Sequence, residues 1–212
     1  VRDNQAKKSF DPAPAVVRLF EEEPPEVAAP RVERELSVSF PKCMIGFKET
    51  DLVRDADALM RREAATRLVF EALFGPGSDL YQSLYDDRLI TDSFGSEYNI
   101  TPEYAFSVIG GETRDPDELV ARIGEAIERA KEKGLDPGRF ERAKRRRIGA
   151  LIRMLDRPEA AANEYLRWRM RGGDLFRLPD VYREIDLGEA VARLRDHFDR
   201  ERMAVSIVRS RG

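Results

Sequence analysis

Residues 94–118 read FGSEYNITPEYAFSVIGGETRDPDE, and the fold turns on this stretch. Phe94, Ser96, Tyr98 and Ile100 recur at every second position, the period of a strand. A turn at Thr101-Pro102-Glu103 follows, and Tyr104–Ile109 makes a second strand that runs up to Gly110-Gly111. Asp115-Pro116-Asp117-Glu118 then supplies an N-cap, a proline at the first helical position and a glutamate placed to complete a capping box. Two strands joined by a short turn, handing over to a helix, indicate antiparallel neighbours rather than a βαβ crossover.

Downstream, the helix opened at Asp115 buries Leu119, Ile123 and Ile127 and stops at Gly134. Asp136-Pro137 opens another, with Phe140, Ala143, Ile148, Leu151, Ile152 and Leu155 inward. Pro158 starts a third that runs to about Arg171, with Tyr165 and Trp168 expected in the core. Leu187–Phe198 is a last helix, and Met203–Val208 is a closing strand with Val205 and Ile207 on one face. Upstream, Ser78 caps a helix that stacks Leu80 over Leu84 and Tyr81 over Tyr85. Asp55 to Phe74 repeats Met60, Ala64, Leu68 and Ala72 at helical spacing, and Gly75-Pro76-Gly77 ends it. Before it, Leu36, Val38 and Phe40 alternate with polar residues, Pro41 interrupts, and Cys43–Phe47 resumes, which predicts a hairpin. Prolines at 12, 14, 24, 25 and 30 break any period in residues 1–30, which reads as a hinge or linker arm with a helical remnant near its start. Residues 31–212 then form the domain. Strands and helices come in separate runs, so the sequence predicts an α+β fold: a mostly antiparallel sheet of about five strands with helices packed on one face.

Composition narrows function by exclusion. Of 212 residues, 42% are hydrophobic and 36% charged, as in a globular chain with a real core. Apolar runs such as Leu68-Val69-Phe70 fall far short of the ~18 residues a membrane helix needs, so no membrane is expected as a partner. Lysine and arginine number 37 against 40 acids, a net charge of −3 that gives no pull towards phosphate backbones; no nucleic acid is expected. The chain opens on Val1 with no charged-then-apolar leader and reads as a piece of something longer, in a cytoplasmic setting.

The inventory of chemical groups is the sharpest constraint. Cys43 is the only cysteine and His197 the only histidine, so neither a disulfide nor the three-ligand set of a catalytic zinc can be assembled within the chain. Cys43 reads as a small core hydrophobe, and His197 as a histidine near a helix terminus. No G-x-S-x-G elbow is present. Gly110-Gly111 is either a tight turn or a place where another backbone comes close. Lys144-Arg145-Arg146-Arg147 winds around a helix and reads as a solvated, ion-paired surface. No catalytic residue and no metal ligand is assigned.

Several stretches, in order, resemble the carboxy-terminal, zinc-free half of bacterial insulinase/pitrilysin-like metallopeptidases, which share a mitochondrial-processing-peptidase-like fold. They are Pro41–Lys48, Gly77–Tyr85, Leu89–Gly95, Gly110–Pro116, Phe140–Lys144 and Ile148-Gly149. The resemblance spans roughly Asn4 to Val208. It implies two similar halves joined by a hinge, closing like a clamshell around a peptide. The amino-terminal half would carry the inverted motif H-x-x-E-H and its zinc. Zinc is thus expected in that half or in a partner subunit, and this chain is expected to form the chamber wall opposite. In active members the second half lends an arginine and, seven residues on, a tyrosine to the zinc site. Laid over this chain, those positions fall at Tyr85 and Asp92, and neither matches; Arg88, in the same segment, is the candidate substitute for positioning peptide. The alternative is an inactive partner or assembly module of a heteromeric processing peptidase that does not itself position peptide.

Overall fold

A computed structural model describes residues 2–9, 19–21 and 23–211. After a short α1 (Arg2–Ala6), the elements run β1 (Arg31–Leu36), β2 (Lys42–Lys48), α2 (Ala56–Phe74), α3 (Asp79–Asp86), β3 (Gly95–Ile100) and β4 (Ala105–Glu112). Then come α4 (Pro116–Lys133), α5 (Pro137–Leu155), α6 (Pro158–Met170), α7 (Leu178–Glu184), α8 (Leu187–His197) and β5 (Met203–Ser210). The sheet has five strands in the order β1-β5-β2-β4-β3. It is antiparallel except for the β1–β5 pair. The α+β class and the mostly antiparallel sheet therefore hold.

The predicted hairpin between residues 35–40 and β2 does not form. β1 lies earlier, at Arg31–Leu36, and pairs in parallel with β5, from Arg31 opposite Val205 to Leu36 opposite Ser210. β5 sits between β1 and β2, so residues 37–41 carry the chain over its end. Val38 N–H turns back onto the Leu36 carbonyl at 3.0 Å, and the Ser210 hydroxyl donates to the Val38 carbonyl at 2.7 Å. Beyond Leu36, which ends β1, the alternation through Val38 and Phe40 thus marks a crossover, not a strand. The last strand to be made is the one that locks the first into the sheet.

Period-2 alternation sorts the remaining strands into two faces. Cys43, Ile45 and Phe47 of β2, Ala105 and Ile109 of β4, Tyr98 and Ile100 of β3, and Val205 and Ile207 of β5 are buried under the helices. Met44 and Phe106 point to the other face and keep 41% and 38% of their surface. α2 is the spine of the helical layer. Its N-cap Asp55 accepts from Ala58 N–H at 2.9 Å, and Met60, Ala64, Leu68 and Phe70 bury against the sheet and against α5, α7 and α8. The aromatic centre is Phe47, Phe70, Phe74 and Phe198, with ring centroids 4.9 to 5.9 Å apart. Each such ring contributes about 2–3 kcal/mol by leaving water.

α4 and α5 start at the predicted caps, although Glu118 does not close the capping box: Asp115 N–H donates instead to Thr113 Oγ1 at 3.3 Å. Asp115 accepts from Asp117 and Glu118 N–H, and Asp136 accepts from Arg139 N–H. Three readings fail nearby. α7 was not expected; Ile152 and Leu155, placed inward on α5 by the sequence, keep 52% and 37% of their surface; and Tyr165, placed in the core, keeps 44% while Trp168 is buried. On α6 only the Trp168 stripe meets the protein; Tyr165 lies on its flank.

Candidate functional site

α3 builds the first part of the candidate site. Ser78 caps it by accepting from Tyr81 N–H at 3.1 Å, and the helix ends in a Schellman turn. Leu89 N–H returns to the Leu84 carbonyl at 2.9 Å, and Arg88 N–H to Tyr85 at 2.9 Å. The residue after the C-cap in this turn takes left-handed geometry and is usually glycine. Here it is Arg88, at φ 56°, the one described non-glycine residue with positive φ.

The loop that follows is braced on β4. Ile90 bridges to Thr113, Arg114 N–H donates to the Leu89 carbonyl, and Glu112 N–H donates to Ser93 Oγ at 2.8 Å. This bracing is what the paired glycines allow. A Cβ on Gly111 would sit 2.7 Å from the Ser93 carbonyl oxygen, and one on Gly110 would sit 2.0 Å from that of Cys43. Of the two readings of Gly110-Gly111, close backbone approach is the one the structure adopts; both lie inside β4.

Tyr85, Arg88 and Asp92 consequently surround one shallow cleft of about 490 Å³, with Phe40, Asp86, Ile90, Thr91 and Arg114 completing it. Tyr85 is half exposed, its ring stacked on Tyr81 at 6.3 Å. Asp86 and Asp92 balance Arg88 and Arg114 around the rim. Sequence reasoning reached the first three residues only through family position. Phe40 and Arg114 come from distant segments, and nothing in their own surroundings marks them.

Between the sheet and helices α2 and α8 lies a second polar cluster that the sequence did not reveal. His197 is buried rather than a simple helix-end histidine. Its Nδ1 is 2.7 Å from Glu49 Oε1 and its Nε2 is 2.7 Å from Ser107 Oγ. Arg193 donates to the same Glu49 oxygen and, through Nε, to Thr66 Oγ1 at 2.8 Å; Tyr98 O–H donates to Glu49 at 2.8 Å. Burial, reinforced by the Arg193 charge, pushes His197 well below its usual 6.5, so it is neutral. The partners then fix its tautomer: Nδ1–H donates to Glu49 and Nε2 accepts from Ser107. Arg193 supplies the countercharge to Glu49, and burial draws its own value down to about 10. The second Glu49 oxygen has no hydrogen-bond donor; Arg62 stands 3.6 Å away. Glu49 is contacted from residues 148 and 144 positions along the chain, separations that no local pattern signals.

A zinc ion, which the family resemblance implies for its other half, does not fit the residues of this one. The single imidazole is spent on Glu49 and Ser107. The Cys43 thiol is buried, and desolvation pushes it up to about 11. Among the described residues no three histidine, cysteine or acidic side chains are grouped to hold a metal.

Comparison with known proteins agrees with this arrangement. The sequence model described as the peptidase M16 inactive domain matches residues 1–147. A Bacillus subtilis protein described as the uncharacterized zinc protease YmfH is 30% identical over 205 residues, which cover 97% of this chain and 48% of that protein. The crystal structure of an M16-like peptidase from Alicyclobacillus acidocaldarius superposes with a TM-score of 0.93 at 32% identity, covering 99% of this chain and 50% of that one. A protease from Helicobacter pylori shares the fold, with a TM-score of 0.80 at 14% identity over 95% of this chain and 49% of its own. The chain thus spans about half the length of the relatives it matches. It belongs to the peptidase M16 inactive-domain family, the carboxy-terminal, zinc-free half of insulinase/pitrilysin-like metallopeptidases.

Proposed function

We propose that this chain forms the substrate-enclosing wall of a two-part zinc peptidase, opposite a zinc-bearing half, in the cytoplasm. The observation that carries the reading is the length relation: nearly the whole chain matches, yet it accounts for 48% of a relative described as a zinc protease. The groups that break a peptide bond would then reside in the remainder. Residues 1–30 serve as the hinge arm. In keeping with this, Lys48 at the end of β2 holds the arm's Pro24 carbonyl at 2.7 Å and Glu23 at 2.8 Å.

Within the wall, Arg88 is the residue proposed to position peptide. Its guanidinium is exposed on a braced loop, and a fixed cation suits the carbonyl of a bound peptide. Tyr85 offers an adjacent ring and hydroxyl. Asp92 would oppose an oxyanion and is assigned to orienting the peptide's cationic groups. The test mixes this chain with a half bearing H-x-x-E-H and follows a fluorogenic peptide. Chelator-sensitive cleavage should depend on both parts, and Arg88→Ala should raise KM.

The Tyr85 and Asp92 departures favour a second reading, an assembly module that never touches peptide. Photocrosslinking an unfolded peptide to the assembled protein separates the two: labelling between Ser78 and Gly111 supports the wall, and its absence supports the module.

A further inference from the structure

A concavity of about 560 Å³ lies away from the Arg88 cleft, between α2, α5, α6, α7 and the free edge of β3. Arg67, Arg147, Arg167 and Arg171 line it, against Glu63, Glu97 and Glu164. Buried Glu63 and partly buried Glu164 are already committed. Glu63 accepts from Arg67 Nε and Arg167 Nη1, both at 2.9 Å, and Glu164 accepts from Arg167 and from Trp168 Nε1 at 3.1 Å.

Two guanidiniums are left short of acceptors. Arg171 Nη1 is buried without a hydrogen-bond partner, 3.7 Å from Glu63. Arg147 reaches Glu71 with Nη2 at 3.4 Å, while its Nε is also buried and unmatched. A buried donor without an acceptor costs about 1–3 kcal/mol; both side chains line the cleft and keep 30% and 21% of their surface, so the exposed part of each is open to an acceptor from outside. Burial and the neighbouring Arg167 depress Arg171 below the usual guanidinium range, the mark of a cation short of countercharge.

Leu151, Met154, Leu178 and the ring of Tyr182 give the cleft an apolar stretch of wall. An inorganic oxyanion would occupy a small part of such a space, which is in the range of small-molecule sites. We propose that this cleft binds an organic carboxylate carrying an apolar body, its carboxylate held by Arg147 and Arg171 and its body against Leu151 and Met154. The free carboxyl end of a peptide and a small aliphatic acid share this chemistry. The proposal does not rest on the chamber reading, because binding is measured on this chain without any zinc-bearing half.

Trp168 is the only tryptophan, and its ring lies 4.6 Å from the Arg167 guanidinium and 5.9 Å from that of Arg171, so its emission reports on the site. N-acetyl-Phe-Leu with a free carboxylate, the same dipeptide as its amide, and hexanoate are titrated separately. The free acids should give saturable emission changes and the amide none. Arg171→Gln and Arg147→Gln should each weaken acid binding about ten-fold or more, while Arg145→Gln, outside the cleft, should leave it unchanged. A dipeptide acid binding well above hexanoate assigns the site to peptide ends; equal binding assigns it to small acids. Equal response to acid and amide, no saturation by ~10 mM acid, or unaltered binding in the folded Arg171→Gln protein would overturn the proposal. The acid–amide comparison needs no variant and decides the matter if one fails to fold.

Discussion

Replacing Arg193 by leucine should destabilise the protein far more than any surface change. The guanidinium donates to Thr66 at 2.8 Å, to Asp196 at 2.6 Å and to Glu49. The Asp196 arm is half exposed and contributes little. Glu49 decides the magnitude: its side chain is 2% exposed and one of its oxygens already lacks a donor. Without Arg193 it is a buried carboxylate left with the dipoles of His197 and Tyr98 and with Arg62 standing 3.6 Å from its other oxygen, too far for a hydrogen bond. Removing one partner of a buried pair costs about 3–5 kcal/mol, at least about a fifth of the roughly 5–15 kcal/mol that holds a domain together. Urea unfolding followed by Trp168 emission and circular dichroism should show the midpoint falling by about 1–2 M at a slope of about 2.5–3 kcal/mol/M. Adding Glu49→Leu to Arg193→Leu deletes the stranded charge and should recover at least half of the loss. A single variant within about 1 kcal/mol of the parent, or a double variant no better than the single, would refute the reasoning.

Three further outcomes follow from the same structure. His197 is held neutral in the fold but protonates near 6.5 once unfolded, so the unfolded state binds the extra proton on acidification. Its stability contribution is complete above pH 6.5 and declines as pH falls below it, by up to about 1.4 kcal/mol per unit; melting between pH 7 and 5 should be less steep in His197→Gln. Gly110→Ala puts a Cβ 2.0 Å from the Cys43 carbonyl oxygen at φ +148° and should cost about 3 kcal/mol or more, lowering Tm by at least ~6 °C; a shift under ~2 °C would contradict the close approach of β2 and β4. Arg88→Gly relieves a left-handed residue at φ 56° and should raise Tm by ~2–4 °C in calorimetry, while weakening peptide capture in the assembled protein if Arg88 is kept for function.

Elements with strong local signals were legible before any coordinates. Asp115-Pro116 and Asp136-Pro137 announce helices because cap and proline act within one turn, and Cys43–Phe47 announces a central strand because one face is fully buried. β1 was misplaced because all six of its side chains are exposed, so apolar alternation could not mark it; its partner β5 lies at the far end of the chain. α7 is short, and Pro179 in its first turn resembles the start of a loop as readily as that of a helix. The site divides in the same way. Tyr85, Arg88 and Asp92 share a short segment and could be reached by family position, whereas the Glu49–Arg193–His197 centre joins α8 to the end of β2, which meet only after folding. The inventory of one histidine and one cysteine carried the functional reading further than any motif within the chain.

The most direct measurement compares zinc-dependent hydrolysis of a fluorogenic peptide by this chain alone with hydrolysis after addition of the half bearing H-x-x-E-H. Turnover that is absent with the chain and zinc, appears only in the mixture and vanishes with chelator is the expected result. Chelator-sensitive turnover by the purified chain alone would contradict the account.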